Sequence, residues 1–366
     1  MALTLHGTVS DNTAVLSRPN AKPLIINGDM AVAQRGTSFT GQTGSVYTLD
    51  RMYIRLSDAG TYTITQDSDV PEGYGFSKSM KIDCTTANDS LEAADFIFVN
   101  MRFEKQDMRI FNKGTSSAKK ITCAAWVKSP KTGTHVVGLY DAQNNRYNMQ
   151  TYTISSANTW TKAIVTFPAD TAGDEFDVDN THGMNLQFWF AAGSNFTSGS
   201  AATAWESYTA ANQAVGQVDC SDSTDNNILI TGMQMEVGDF DVNSIAPFQH
   251  ESFGDNLARC QRYFLLVPGT LAICASATDI RMPVVPYVPM RAEPSIANIG
   301  ATLKMNTFSV SGATQSSANA TLLDGSSDSF VVRFQNISGF AAGNAGVMIK
   351  ASDDDTDGVA LASAEL

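Results

Sequence analysis

The chain has 366 residues, enough for two or three domains with cores of their own. Charged residues make up only 17%, below the roughly 25% of an average globular protein, and small polar residues fill the gap. With 24 basic against 37 acidic residues the net charge is −13, which leaves no basic footprint for nucleic acid and repels an anionic membrane surface. No apolar run reaches the roughly 18 residues of a membrane span, so no membrane insertion is expected.

Residues 1–22 are small and polar, with Leu3, Leu5 and Val9 able to make one short strand. They are expected to form an N-terminal arm that docks on another subunit rather than a part of a core. Met1 to Ser10 lacks the basic and apolar regions of an export signal, so the chain is expected to be made in a reducing cytoplasm.

Strand signals begin at Pro23 and run to about residue 250. TYTIT at Thr61 to Thr65 puts Tyr62 and Ile64 on one face, and TYTIS at Thr151 to Ser155 does the same with Tyr152 and Ile154. In LQFWF, Leu186, Phe188 and Phe190 share a face and Trp189 points the other way. Turn residues separate the runs: Pro71-Glu72-Gly73, Asn112-Lys113-Gly114, Lys131-Thr132-Gly133, Asn144-Asn145 and Asp170-Thr171-Ala172-Gly173. Many short strands with no helical stripe argue for an all-β fold, an antiparallel jelly-roll sandwich over residues 23–250.

Ile228 to Val237 reads as one more strand, with Met233, Met235 and Val237 on one face and Gln234 and Glu236 on the other. Residues 251–264 read as a linking helix whose apolar stripe is Phe253, Leu257, Cys260 and Phe264, so Leu257 is expected to be buried. Residues 265–366 form a smaller C-terminal β domain. Its start, Leu265 to Ile296, is apolar and carries Pro268, Pro283, Pro286, Pro289 and Pro294, which suit edge strands and extended crossings. That run is too hydrophobic for a solvated linker and implies a homo-oligomer. The five cysteines, Cys84, Cys123, Cys220, Cys260 and Cys274, are widely spaced and form no CxxC pair, so they read as small buried hydrophobes.

Gly232, Gln234, Glu236, Val237 and Gly238, followed by Pro247, Phe248, His250, Ser252, Leu257, Cys260, Gln261, Arg262 and Tyr263, closely resemble a signature of bacteriophage tail-fibre and related virion proteins. Asn27, Gly28, Asp29, Gln34, Arg35, Gly36, Asp50 and Arg51 resemble the opening of the same proteins, with Met52 where a Trp is expected. Met290, Arg291, Pro294, Ala364, Glu365 and Leu366 match their C-terminal part. Trp126, Lys128, Gly133, Trp160 and Thr161 resemble the jelly-roll carbohydrate-binding modules, where aromatics are expected to point inward. These resemblances imply a virion fibre or tail-appendage subunit that presents a host-binding, glycan-binding surface. They also imply a homotrimer, an arm held by other virion proteins, and location in the virion. The alternative is a capsid-decorating or head-fibre protein that coats or stabilises the shell.

Catalytic signals are absent. His6, His135, His182 and His250 are far apart, and no HExxH, P-loop, G-x-S-x-G or dinucleotide fingerprint exists. No enzymatic activity and no cofactor are therefore expected. Two acidic runs could hold a structural calcium: Asp353 to Gly358, which lacks the closing Glu of a calcium loop, and Asp174 to Asp179. His250 is expected to fix a corner by hydrogen bonding. Aromatics are the ligand candidates, because sugars stack their C–H faces on rings. They rank Trp205, Tyr208, Trp189 and Tyr140, with Trp205 first because its flanks, Ala201 to Ala204 and Glu206-Ser207, look like loop.

Overall fold

The computed structural model describes residues 22–298, 303–307, 313–315, 319–335, 340–350 and 358–366. The expected arm, apart from Lys22, and the acidic residues Asp353 to Asp357 lie outside the described residues. The chain divides into two units, Met1–Glu251 and Ser252–Leu366, and the helix of the linking segment falls in the second. Among the described residues no helix is long and apolar enough to cross a membrane.

The first unit is the antiparallel jelly-roll sandwich. Its strands are β1 (Ser38–Tyr47), β2 (Tyr53–Asp67), β3 (Ser79–Thr86), β4 (Phe96–Glu104), β5 (Ile121–Lys128), β6 (Gly133–Asp141), β7 (Arg146–Ile154), β8 (Thr161–Phe167), β9 (His182–Ala192), β10 (Glu206–Ser207) and β11 (Asn227–Val237). They run in the order β10-β7-β6-β9-β4-β2-β3-β11-β5-β8, with β1 also on β2.

The long strand β2 turns this ribbon into two layers. Its first half, Tyr53 to Ser57, pairs with β4, and its second half, Thr61 to Asp67, pairs with β3. Between them the chain bends at Asp58 and Gly60, which have φ of 48° and 109°. A side chain at Gly60 would place its Cβ 2.5 Å from the Thr86 carbonyl oxygen, so glycine is required there. The core fills the space between the layers. Ile97, Val99, Leu186, Phe188, Val137, Tyr152 and Ile154 come from one side; Tyr62, Ile64, Ile82, Ile228, Ile230, Cys123, Val127 and Val165 come from the other.

The residues that resemble phage proteins are structural. Asn27 is buried with φ of 59°, and its amide donates to the Val32 and Asp50 carbonyls, each at 2.9 Å. Gly28 lies so close to β11 that a Cβ would meet the Met233 carbonyl oxygen at 2.2 Å. Asp50 accepts from the Gln34 backbone at 2.7 Å and its side chain at 2.6 Å. In β11 a register shift between Thr231 and Gln234, with Gly232 at φ of 62°, reverses the strand's parity. Ile228 and Ile230 therefore share the core with Met233 and Met235. His250 holds the corner by donating from Nε2 to the Tyr74 carbonyl at 3.0 Å.

The second unit has two antiparallel sheets. The strands are β12 (Phe264–Val267), β13 (Leu271–Ser276), β14 (Asp279–Val284), β15 (Ser295–Ala297), β16 (Leu303–Thr307), β17 (Ala313–Gln315), β18 (Asn319–Gly325), β19 (Phe330–Gln335), β20 (Ala345–Lys350) and β21 (Ala360–Ser363). One sheet is β12-β21-β15 and the other β17-β16-β20-β13-β14-β19-β18. Pro283 sits in β14 beyond the point where pairing with β13 stops at Arg281, so its missing N–H breaks no ladder bond. The helix Phe253–Gln261 starts at Ser252, whose hydroxyl accepts from the Asp255 N–H at 3.2 Å. Its buried residues are Asn256 and Cys260, while Leu257 is half-buried and Phe253 exposed. The expected stripe is thus turned by about one residue. Phe253 projects from the first helical position, and Phe264 belongs to β12.

A candidate ligand groove on the first layer

Alternation along three neighbouring strands builds the site. On β4, Ile97, Val99, Met101 and Phe103 enter the core, so Phe96, Phe98, Asn100 and Arg102 face outward. On β9, Met184, Leu186, Phe188 and Phe190 enter the core, so Asn185, Gln187 and Trp189 face outward. Register then sets cross-strand rows on the outer face. Tyr140 lies beside Asn185 and Asn185 beside Arg102; Gly138 lies beside Gln187, Gln187 beside Asn100 and Asn100 beside Tyr53; Trp189 lies beside Phe98 and Phe98 beside Arg55.

The segment after β9 folds back over this face. Its Ala214 N–H donates to the Phe196 carbonyl and its Tyr208 N–H to the Asn145 carbonyl, each at 2.9 Å. This adds Phe196, Tyr208 and Gln213 as walls and encloses a groove of about 300 Å³.

The floor is aromatic at one end and amide-lined in the middle. Trp189 is 1% exposed, packed on Phe98 with centroids 4.3 Å apart and near Phe196 at 5.7 Å. The rings left open to a ligand are Tyr140 and Tyr208, edge to face at 5.4 Å, and Phe96 and Phe196, edge to face at 5.4 Å. Tyr140 donates to the Asn145 side-chain oxygen at 3.0 Å. Burial, then Tyr208 and Asp141, pushes its hydroxyl above the ordinary tyrosine range, so it stays neutral at physiological pH. His182 Nε2 hydrogen-bonds the Asn185 amide oxygen.

Asn100 and Gln187 are 2% and 6% exposed, yet Asn100 Oδ1 and Gln187 Oε1 have no hydrogen-bond partner among the described residues. A buried acceptor without a donor costs about 1–3 kcal/mol. The two amide side chains lie next to each other on the groove floor, their oxygens closed to solvent. Among the described residues no carboxylate lines the groove, while Arg55, Arg102 and His182 do.

Three of the four aromatics singled out in the sequence, Tyr140, Trp189 and Tyr208, meet in this groove. Trp205 lies outside it. Its ring packs against the main core, Nε1 donates to the Pro168 carbonyl at 2.7 Å, and the Lys113 ammonium sits 4.8 Å from the ring centre. Non-local charge recruited this Trp, which its small-residue flanks did not reveal. Asn100, Phe96, Phe98, Phe196 and Arg55 were missed. Gln187 was legible, because it shares the outward parity of Trp189.

Trp126 and Trp160 do not point inward. Trp126 stands on the outer face of β5 against Tyr74 at 4.4 Å, and Trp160 donates to Asp69 at 2.9 Å, where Lys128 also binds at 2.6 Å. A recess of about 360 Å³ there is closed by Phe76, Phe248 and His250, and its Gln234 amide donates to the Ala246 carbonyl at 2.9 Å.

Beside the groove, Lys113 is clamped between Asp141 at 2.5 Å and Asp170 at 2.6 Å, all three nearly fully buried. Arg146 grips Asp170 with two nitrogens at 2.8 and 2.9 Å. Burial alone would raise the Asp170 carboxyl, but Arg146 and Lys113 hold it below the usual carboxylate range. Of the acidic run Asp174 to Asp179, Asp177 and Asp179 pair with Lys105 at 2.8 and 3.6 Å, and Glu175 with Arg109 at 3.3 Å. Among the described residues no three His, Cys, Asp or Glu side chains gather as metal ligands.

No protein-family model matches the chain, and no curated protein does. Solved structures do match. The enzymatically active domain of bacteriophage CBA120 tailspike protein 4 is 13% identical with a TM-score of 0.30, over 59% of this chain and 21% of that one. This chain therefore spans about a fifth of the tailspike chain. The family 11 carbohydrate-binding module of cellulosomal cellulase Lic26A-Cel5E of Clostridium thermocellum is 10% identical, TM-score 0.27, over 61% and 98%. The CBM22-1–GH10 modules of Clostridium thermocellum xylanase 10B are 13% identical, TM-score 0.25, over 59% and 28%.

Proposed function

We propose that the first unit binds saccharide in the groove between Tyr208 and Phe96, and that it binds without turnover. The observation that carries this reading is the meeting in one groove of the open rings Tyr140, Tyr208, Phe96 and Phe196 with the amide side chains Asn100, Asn185 and Gln187. Sugars fit such a lining, with hydroxyl groups for the amide side chains and C–H faces for Tyr140, Tyr208, Phe96 and Phe196. Glycoside hydrolysis needs two carboxyl groups flanking the bond, and no carboxylate lines the groove.

The wider role is that of a fibre or tail-appendage subunit of a bacteriophage virion, presenting the groove to a host glycan. The support is the match of Gly232 to Tyr263 and Asn27 to Arg51 to that signature. Weak single-site binding would be strengthened by several copies on one particle.

A glycan array probed with the full chain tests the binding. Wild type should retain at least one host-surface saccharide, and Gln187→Ala should lose at least tenfold in affinity for it. Equal binding by both proteins would remove the groove from consideration. Labelled antibody on intact particles tests the role: signal on the tail is expected, and signal over the capsid would replace it with shell decoration.

A further inference from the structure

We propose that the groove is selective for an acidic saccharide, one carrying a uronate-type carboxylate, and that Arg55 is the residue that reads the charge. The inference rests on the saccharide reading of the groove. The chain as a whole is strongly acidic, at −13, yet the groove is lined by two arginines and a histidine with no carboxylate. That local reversal of sign is opposite to what the bulk composition gives by chance.

Arg55 is placed for the task. It lies on β2 beside Phe98, one row from the Asn100–Gln187 pair. Its guanidinium sits 5.7 Å from the Tyr53 ring centre and 5.8 Å from the Phe96 ring centre. These contacts hold the side chain without neutralising it. Among the described residues Arg55 has no carboxylate within ion-pair distance. Its planar fork therefore keeps two parallel donors for an incoming carboxylate. Arg102, whose guanidinium lies 4.9 Å from the Tyr53 ring centre, lines the same groove. The ring of the same sugar would rest on Phe96, with its hydroxyls toward Asn100 and Gln187.

The test is an array carrying alginate, polygalacturonate, hyaluronan, polysialic acid and bacterial capsular uronates. Each is printed beside its carboxyl-reduced form, together with sulfated and phosphorylated glycans and neutral glucans. The full chain should bind at least one carboxylated glycan at least tenfold more tightly than its reduced form. Arg55→Gln should abolish that difference, Arg55→Lys should keep part of it, and the preference should shrink as salt is raised. Gln187→Ala should weaken both forms alike. Preferential capture of sulfated or phosphorylated glycans would overturn the carboxylate assignment. Binding to neutral glycans equally well, still lost in Gln187→Ala, would overturn the charge inference and leave the saccharide groove standing. Binding to nothing on the array would overturn both.

Discussion

Replacing Lys113 with Met should destabilise the sandwich severely, and the loss should depend on pH. The side chain is nearly isosteric in length, so the change removes charge more than volume. It leaves Asp141 and Asp170, with side chains 0% and 3% exposed, facing each other without their shared cation. Breaking a buried ion pair from one side costs about 3–5 kcal/mol. Arg146 still grips Asp170, and three amide donors still serve Asp141, so the lower end applies, about 3 kcal/mol. For a unit of this size that is a fall in Tm of roughly 6–12 °C. The folded-state pKa of Asp170 is depressed, so its contribution is present above the unfolded value of about 3.9 and disappears as pH falls through the folded value. The gap between wild type and variant should therefore be widest near pH 7 and narrow as the solution is acidified below about pH 4. Thermal unfolding followed by circular dichroism across that range measures it. A drop under about 2 °C at neutral pH, or a gap independent of pH, would refute the buried-network argument.

Tyr208 is 39% exposed, so Tyr208→Ala should weaken saccharide binding roughly tenfold while leaving Tm within about 1 °C. Calorimetry and thermal unfolding on the same sample decide it, and equal losses of both would mean the ring is structural. All five cysteines are free and buried, and burial pushes the Cys220 thiol up to about 12 and Cys123 higher still. Iodoacetamide at pH 8 should label none of them in the native protein and all of them in guanidinium; native labelling of Cys123 would place that strand outside the core. Leu271, Ile273, Val285 and Tyr287 are 50–86% exposed, which leads us to expect a homo-oligomer. A stable monomer in sedimentation at micromolar concentration would oppose it.

The fold was legible in the sequence because period-two alternation is a local property. Tyr62 with Ile64, Tyr152 with Ile154, and Leu186 with Phe188 and Phe190 all reach one core. The β11 bulge at Gly232 was not legible. Ile228 and Ile230 have the opposite parity to Met233 and Met235, and only the shifted register reconciles them. The helix stripe was misjudged because Asn256 is buried, its amide oxygen 3.9 Å from the Cys260 thiol, a pairing that hydrophobic patterning cannot show. At the groove, the outward parity of Trp189 was readable, and Gln187 follows from it. The outward parity of Asn100 was readable as well, since Ile97, Val99, Met101 and Phe103 are wholly apolar; what was not readable is that the segment after β9 folds back over that face. The packing of Trp205 was not legible, because the Lys113 cation beside its ring is distant in the chain.

A crystal structure of the full chain with the tightest saccharide from the array tests the groove most directly. The account predicts a sugar ring against Tyr208, Tyr140 or Phe96, with hydroxyl groups hydrogen-bonded to the side chains of Asn100 or Gln187 at about 3 Å. Saccharide seated instead in the recess between Tyr74 and Trp126, with the groove empty, would contradict it.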